Sequence, residues 1–180
     1  MGREKLSLEV GSVPLIERVN KALSARCREV LVVGGGIRLE GARHVPDERP
    51  GRQGPLAGIE AGLEASRYDH VFVAAGDMPF LPQELVQYLL DRLEQGHSIA
   101  VIPHDGERSH PLCGAYARAL LPCVGDALDG GTLAVHEFLE SVGRVEYVGD
   151  ELGRFGAPDL TLMNVNSPLD LERARREAEL

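Results

Sequence analysis

Short, continuous apolar runs alternate along this chain with segments of helical periodicity. The clearest run, residues 71–75 (VFVAA), is followed by a helical pattern over about residues 82–93. Strands that are apolar at consecutive positions are typically buried on both faces, as in parallel sheets covered by helices. The alternation therefore predicts an α/β fold with a mostly parallel sheet and helices on both of its faces.

The same pattern predicts the other elements along the chain, with one antiparallel strand in the later half and a single domain over residues 1–180. Thr132 is predicted to cap one helix, and Ser167 to cap the last one, which opens with Pro168. The predicted strands are 30–33, 71–75, 99–102, 113–116, 145–148 and 160–165. The predicted helices are 15–25, 56–65, 82–93, 118–127, 133–139 and one that begins at 168. Residues 46–54 are predicted to form a loop, and Gly34-Gly35-Gly36 a turn between a strand and a helix.

The composition of the chain argues against nucleic acids and membranes as partners. A net charge of -9 argues against nonspecific nucleic-acid binding, which needs clustered Lys and Arg. No apolar run approaches the ~18 residues that span a bilayer, and no signal peptide is visible. Three scattered cysteines suit reduced thiols better than a disulfide framework. These features predict a cytoplasmic protein without membrane or nucleic-acid partners.

Asp77 follows the apolar run 71–75 directly after Gly76. Open α/β sheets bind their ligands outside the carboxyl ends of the strands. A carboxylate there is a suitable ligand for Mg²⁺, which usually takes one or two carboxylates together with substrate phosphates. The sequence equally allows Asp77 to cap the following turn.

Three further segments mix turn residues with groups that bind ligands. The start of a helix at Gly54–Gly58 can bind a phosphate through free amides, or can simply shape a turn. Residues 105–111 (DGERSHP) form either a solvated turn or a phosphate-binding loop, since Arg108 is suited to bidentate phosphate contacts. Asn164 and Asn166 either bind a ligand or cap the last helix.

Five motifs, taken in order, resemble the molybdenum cofactor guanylyltransferase family over nearly the whole chain. They are Met1-Gly2-Arg3-Glu4-Lys5, GPLAG (54–58), AGDMPF (75–80), DGERSHPLCG (105–114) and NVNSP (164–168). The resemblance implies a Rossmann-like nucleotidyltransferase fold. It also implies a Mg²⁺-dependent enzyme that transfers GMP from GTP to the phosphate of Mo-molybdopterin and releases pyrophosphate.

The resemblance also assigns roles to residues. Asp77 would hold Mg²⁺. Lys5 would be the second catalytic group and would neutralise charge on the triphosphate. Without the resemblance, a lysine this close to the N-terminus is expected to be a solvated side chain. The implied GTP-binding residues are Lys5, Asp47, Gly54, Gly58 and Asp77. The implied molybdopterin-binding residues are Arg108, His110, Asn164 and Asn166. The expected form is a monomer in transient contact with molybdenum cofactor synthesis proteins or acceptor enzymes.

In the family, a strand and a Gly-rich phosphate loop precede the motif that here begins at Met1. We therefore expect an upstream in-frame extension to encode a short apolar strand followed by Ala-Gly-Gly. Two other functions are considered beside guanylyl transfer. One is transfer of CMP to the same pterin, or of a nucleotide to a sugar or alcohol phosphate. The other is nucleotide or pterin binding without catalysis.

Overall fold

The computed structural model describes residues 3–46, 49 and 54–179, and its strands follow most of the apolar runs of the sequence. The strands are β1 (Glu9–Val10), β2 (Val13–Pro14), β3 (Leu31–Val33), β4 (Arg43–Val45), β5 (His70–Ala74), β6 (Ala100–Pro103), β7 (Cys113–Ala117) and β8 (Val145–Val148). The helices are α1 (Arg3–Leu6), α2 (Leu15–Ser24), α3 (Gly54–Ala65), α4 (Gln83–Glu94), α5 (Leu121–Asp129), α6 (Val135–Val142), α7 (Pro158–Thr161) and α8 (Pro168–Glu177). Two 3₁₀ helices cover Arg118–Leu120 and Leu152–Phe155. Within the described ranges, no helix has the length and apolarity needed to cross a membrane.

The main sheet has the strand order β5-β7-β6-β8. Strand β7 is antiparallel to both β5 and β6, whereas β6 and β8 are parallel. Strands β5, β6 and β8 therefore share one direction, and their carboxyl ends meet at one edge of the sheet. The predicted antiparallel strand in the later half is confirmed, and the sheet is mixed.

Close packing at the centre of this sheet depends on Gly114 in β7. A Cβ at this position would lie 2.6 Å from Ile102 Cδ1 and 3.2 Å from the Val101 carbonyl oxygen. A larger residue would force β6 and its side chains to move, which typically costs about 1–3 kcal/mol in a packed core.

Helices cover both faces of the main sheet, because side chains alternate in direction along each strand. On one face, Val101 and Ala115 pack in a cluster with Leu85 and Leu89 of α4. On the other face, Ile102 and Tyr116 pack in a second cluster that includes α3, α5 and α6. Burial of alternate residues against two helical layers explains why these strands read as continuous apolar runs.

Strands β3 and β4 form a separate parallel pair, beside a groove of about 680 Å³ whose walls include β3 and β5. Glu29, just before β3, forms an ion pair of 3.7 Å with Arg67, which lies shortly before β5. The amino ends of β3 and β5 therefore lie at the same end of the groove. Among the described residues, β3 pairs with β4 alone and β5 with β7 alone.

Several predicted elements are wrong in detail. Thr132 does not cap a helix, because α6 begins at Val135 with Ala134 as its N-cap and no side-chain cap. Residues 160–165 do not form a strand: α7 covers Pro158–Thr161, with the Thr161 amide bonded to the Ala157 carbonyl. Residues 162–166 then run irregularly to α8.

The prediction for the triple-glycine turn is also wrong, since this turn does not lead into a helix. Gly34, Gly35 and Gly36 have φ values of 68°, 66° and 64°, and the chain continues irregularly to β4. Strand β4 was not predicted, because its sequence (RHV) lacks an apolar run. Most of the predicted loop 46–54, including Asp47, lies outside the described residues.

Candidate active site at the carboxyl edge of the sheet

The carboxyl end of β5 brings Asp77 beside α1. Gly76 permits this contact: a Cβ there would lie 3.3 Å from Leu6 Cδ2 and 3.4 Å from Ile16 Cδ1. With only hydrogen at position 76, Leu6 can pack against the turn that follows β5. The neighbouring Lys5 is thereby held over the end of the strand.

Lys5, Asp77 and Asn166 form a single polar cluster. Lys5 Nζ lies 2.5 Å from Asp77 Oδ2 and donates to Asn166 Oδ1 at 2.8 Å. The Lys5 and Asp77 side chains are 12% and 15% exposed. The Val165 amide donates to the Asp77 carbonyl at 3.0 Å, which holds the segment before α8 against the end of β5. Three of the predicted site residues thus meet at one point.

The second carboxylate oxygen of Asp77 is not used within the described structure. Asp77 Oδ1 is buried and has no hydrogen-bond partner there. A buried carboxylate oxygen without a partner is costly, and such groups often mark a site for an ion or a reacting group.

The oxygen atoms of Asp77 and Asn166 fit a magnesium ion. Mg²⁺ prefers oxygen ligands, and it commonly binds through one or two carboxylates plus water and substrate phosphate. Over the described part of the chain, no three His, Cys, Asp or Glu side chains are grouped to hold a metal on their own. Any metal here would therefore need substrate or water oxygens, as expected for Mg²⁺.

Asp170 fixes the backbone at Asn166. One oxygen of Asp170 accepts hydrogen bonds from Ser167 Oγ at 2.9 Å and from the Asn166 and Ser167 amides at 2.9 and 2.7 Å. Ser167 Oγ in turn accepts from the Asp170 amide, which completes the capping box of α8 and confirms Ser167 as its N-cap. The bonds from Ser167, and then from Asn166, hold the pKa of Asp170 below its ordinary value.

Asn164 does not join the cluster. Its side-chain amide donates to the Leu162 carbonyl at 3.3 Å, within its own segment. The two asparagines of the NVNSP motif therefore have different local roles: Asn166 contacts Lys5, and Asn164 braces the chain before it.

The loop 104–112 leads to the same edge of the sheet. It connects β6 to β7, and the Leu112 carbonyl accepts a hydrogen bond of 2.8 Å from the amide of Ala75, two residues before Asp77. Residues His104 and Ser109 are paired in an isolated antiparallel bridge, which closes the loop into a narrow turn.

Asp105 organises this turn. Its Oδ1 accepts from the Glu107 and Arg108 amides, both at 2.9 Å, and its Oδ2 lies 2.6 Å from His110 Nε2. Burial alone would raise the pKa of Asp105, but hydrogen bonds from the Arg108 amide, the His110 ring and the Glu107 amide outweigh burial. They hold the pKa of Asp105 well below its usual range.

Arg108 and His110 therefore differ in position although they are close in sequence. The His110 side chain is only 7% exposed and is bound to Asp105, whereas the Arg108 side chain is 73% exposed. His110 is held inside the loop by Asp105, whereas Arg108, whose Nε lies 3.9 Å from Asp105 Oδ2, extends into solvent.

Gly54 and Gly58 lie in the first two turns of α3, and Gly58 lines the groove beside β3 and β5. Five residues before this helix, Arg49 donates to both oxygens of Glu60 at 2.5 and 2.6 Å, and to Asp129 at 2.7 Å. These bonds hold the pKa of Arg49 above its ordinary value. They also join α3 to the end of α5.

A model of the MobA-like NTP transferase domain matches residues 1–145, most of the 180-residue chain. The chain belongs to this family. A protein from Pelotomaculum thermopropionicum, named a probable molybdenum cofactor guanylyltransferase, is 38% identical over 184 residues. The match covers 99% of this chain and 87% of that protein.

Two solved structures are similar to this chain, and the first of them supports the assignment to the MobA-like family. The crystal structure of molybdopterin-guanine dinucleotide biosynthesis protein A from Archaeoglobus fulgidus has a TM-score of 0.82 and 27% identity, covering 98% of this chain and 91% of that one. The 2-C-methyl-D-erythritol 4-phosphate cytidylyltransferase of Thermus thermophilus has a TM-score of 0.74 at 24% identity, covering 98% and 95%. The similarity to the Thermus thermophilus protein shows a shared fold alone.

Three supporting residues of this MobA-like protein were missed by sequence reasoning. Asp170 had a visible signal, because Ser167 and Asp170 have the spacing of a capping box. Asp105 also had one, because Asp before Gly favours a turn in which the carboxylate binds the following amides. Arg49 had none, because its partners Glu60 and Asp129 are 11 and 80 residues away.

Proposed function

We propose that this protein is a Mg²⁺-dependent guanylyltransferase that makes molybdopterin guanine dinucleotide. It would join GMP from GTP to the terminal phosphate of Mo-molybdopterin and release pyrophosphate. The observation that carries the proposal is the Lys5–Asp77–Asn166 cluster at the carboxyl edge of the sheet, in a chain of the MobA-like family. The name of the Pelotomaculum relative supports the choice of reaction.

The reaction is a direct displacement at phosphorus. An oxygen of the pterin phosphate attacks the α-phosphorus of GTP, and the bond from that phosphorus to the α,β-bridging oxygen breaks. Pyrophosphate leaves with the electron pair of the broken bond. Such a step needs chiefly positioning and neutralisation of charge, so a nucleophilic Ser or Cys is not required.

The chain's own residues supply these requirements. Asp77 and Asn166 would hold Mg²⁺, which supplies charge neutralisation at the phosphates when bound. Lys5 would contribute a second positive charge to the triphosphate. Gly54 and Gly58 would let the start of α3 approach the nucleotide, and Asp47 would accept the N1 and N2 hydrogens of guanine.

On the acceptor side, Arg108 would bind the pterin phosphate through its guanidinium group. His110 and Asp105 would set the shape of the loop that presents Arg108. Asn164 would support the segment carrying Asn166. Of the four predicted pterin-binding residues, this assignment makes Arg108 a contact residue and His110 and Asn164 positioning residues. It moves Asn166 to the metal.

The test is conversion of Mo-molybdopterin by the purified protein with Mg²⁺ and either GTP or CTP. We expect the dinucleotide and pyrophosphate with GTP, at a rate at least about a hundredfold above that with CTP. EDTA should abolish turnover, and excess Mg²⁺ should restore it. Turnover with CTP alone would identify a cytidylyltransferase. Nucleotide binding without turnover would identify a binding protein, and either result would overturn the proposal.

A further inference from the structure

The ammonium group of Lys5 contacts one oxygen atom from each of the two proposed metal ligands, Asp77 and Asn166. Its Nζ is 2.5 Å from Asp77 Oδ2 and 2.8 Å from Asn166 Oδ1. The other Asp77 oxygen is buried. A cation that binds Asp77 Oδ2 together with Asn166 Oδ1 must therefore take the position held by the Lys5 ammonium group.

We propose that Lys5 is an exchangeable counterion, which is displaced from Asp77 by the metal and moves to the triphosphate of the incoming nucleotide. This inference rests on the proposed function. The Lys5 ammonium and a metal ion exclude each other between these oxygens, because like charges repel strongly at contact distance in a partly buried site.

The local structure allows the side chain to move while its backbone stays in place. Leu6 packs close to Gly76, and the Lys5 carbonyl accepts a hydrogen bond of 3.1 Å from the Leu8 amide. These contacts anchor α1 over the end of β5. The ammonium group stands at the end of a flexible four-carbon stem, so it can exchange partners without displacement of the helix.

The exchange makes binding of metal and nucleotide cooperative. Metal alone must remove Lys5 from Asp77 and leave the ammonium group without a partner. With a triphosphate present, the same ammonium group gains phosphate oxygens instead. Because coupling between two ligands is reciprocal, the nucleotide should raise metal affinity more in the wild-type protein than in a variant without Lys5.

The experiment titrates Mn²⁺, as a paramagnetic substitute for Mg²⁺, into nucleotide-free protein and follows free Mn²⁺ by EPR. We expect Lys5→Met to bind Mn²⁺ on the order of ten- to a hundredfold more tightly than wild type, because a competing charge-assisted contact is removed. Lys21→Met is the matched control, since Lys21 is the other lysine of the chain and is exposed on α2. It should bind like wild type.

Two further variants separate the possible outcomes. Asp77→Asn, and Asp77→Asn combined with Lys5→Met, should both lose the Mn²⁺ site. If Lys5→Met binds no more tightly than wild type while Asp77→Asn loses the site, the exchange is refuted and the metal assignment stands. If Asp77→Asn binds like wild type, both are refuted. Failure of guanylyl transfer would appear separately, as absence of product with an intact Mn²⁺ pattern.

The Lys5 amine itself gives a second readout. Labelling with ¹⁵N-lysine yields signals from two side chains, and the Lys21→Met variant assigns them. Adding Mg²⁺ and GTP together should shift the Lys5 signal and leave that of Lys21 unchanged. A Lys5 signal that keeps its position in saturating Mg²⁺ and GTP would overturn the proposal.

Discussion

Two carboxylates at the same edge of the sheet are used in opposite ways. Asp105 has both oxygens occupied, by two backbone amides and the His110 ring. Asp77 has one oxygen on Lys5 and one without a partner among the described residues. A carboxylate whose acceptors are all used stabilises its own loop, whereas one with an unused oxygen remains available for a ligand.

The difference arises from the surrounding backbone. Asp105 begins a tight turn, so the amides of Glu107 and Arg108 point back towards its side chain. Asp77 follows a strand and faces side chains from α1 and from the segment before α8, which are far away in sequence. Local geometry satisfies both oxygens of Asp105, whereas the long-range contacts of Asp77 leave its Oδ1 without a partner among the described residues.

The largest expected effect is on kcat, and it appears when Asp77 and Asp105 are each replaced by asparagine. Asp77→Asn should lower kcat by roughly a thousandfold, because the proposed metal loses its charged ligand. Asp105→Asn should lower kcat by less than about tenfold, because its carboxylate acts through the loop. Steady-state rates with GTP and Mo-molybdopterin measure both. Equal losses in the two variants would contradict the distinction between them.

The next effect concerns Arg108, the exposed arginine of the loop that Asp105 organises. Arg108→Ala should raise KM for Mo-molybdopterin by roughly ten- to a hundredfold, because a charge-assisted phosphate contact is lost. The KM for GTP should stay nearly constant. Arg67→Ala, at an arginine that is 75% exposed, is the control for loss of one surface charge. An equal rise in KM for both substrates would argue against a specific acceptor contact.

Asp77 has a local signal: an apolar strand, a glycine and a carboxylate at the strand's end. This signal allows a metal ligand or a turn cap equally, and the family resemblance favours the metal ligand. Sequence reasoning could not predict the contacts of Lys5, which join residues 72 and 161 positions apart. The family resemblance pointed to Lys5, Asp77 and Asn166 as site residues, but their contacts are visible only in the tertiary structure. The same resemblance grouped Arg108 with His110, although the Arg108 side chain is exposed and the His110 side chain is buried.

The errors of fold prediction have a common cause. Residues 160–165 (LTLMNV) are mostly apolar, as in a buried strand, but Pro158 begins a helical turn. Within the described ranges, no strand pairs with the segment. Thr132 has the chemistry of a helix cap, yet the helix starts three residues later. In both segments the local sequence is compatible with more than one structure, and tertiary packing determines which one forms.

The smallest effect should appear in the pH dependence of stability. The pKa of Asp105 is lower in the folded protein than in the unfolded chain, where it is about 3.9. The charged carboxylate therefore stabilises the fold at pH values above the unfolded-state pKa. This contribution to stability is lost as the pH falls towards the folded-state pKa. Asp105→Asn should therefore be less stable than wild type at pH 7, by about 1 kcal/mol after allowance for solvent screening.

Urea unfolding at pH 7, 5, 4 and 3 measures this difference directly. The gap between wild type and Asp105→Asn should be constant down to about pH 5 and should narrow below it. Asp69→Asn, at an exposed residue before β5, controls for loss of one negative charge. A gap that widens as pH falls would mean that Asp105 is not stabilised in its charged form, and the contrast with Asp77 would then lose its basis.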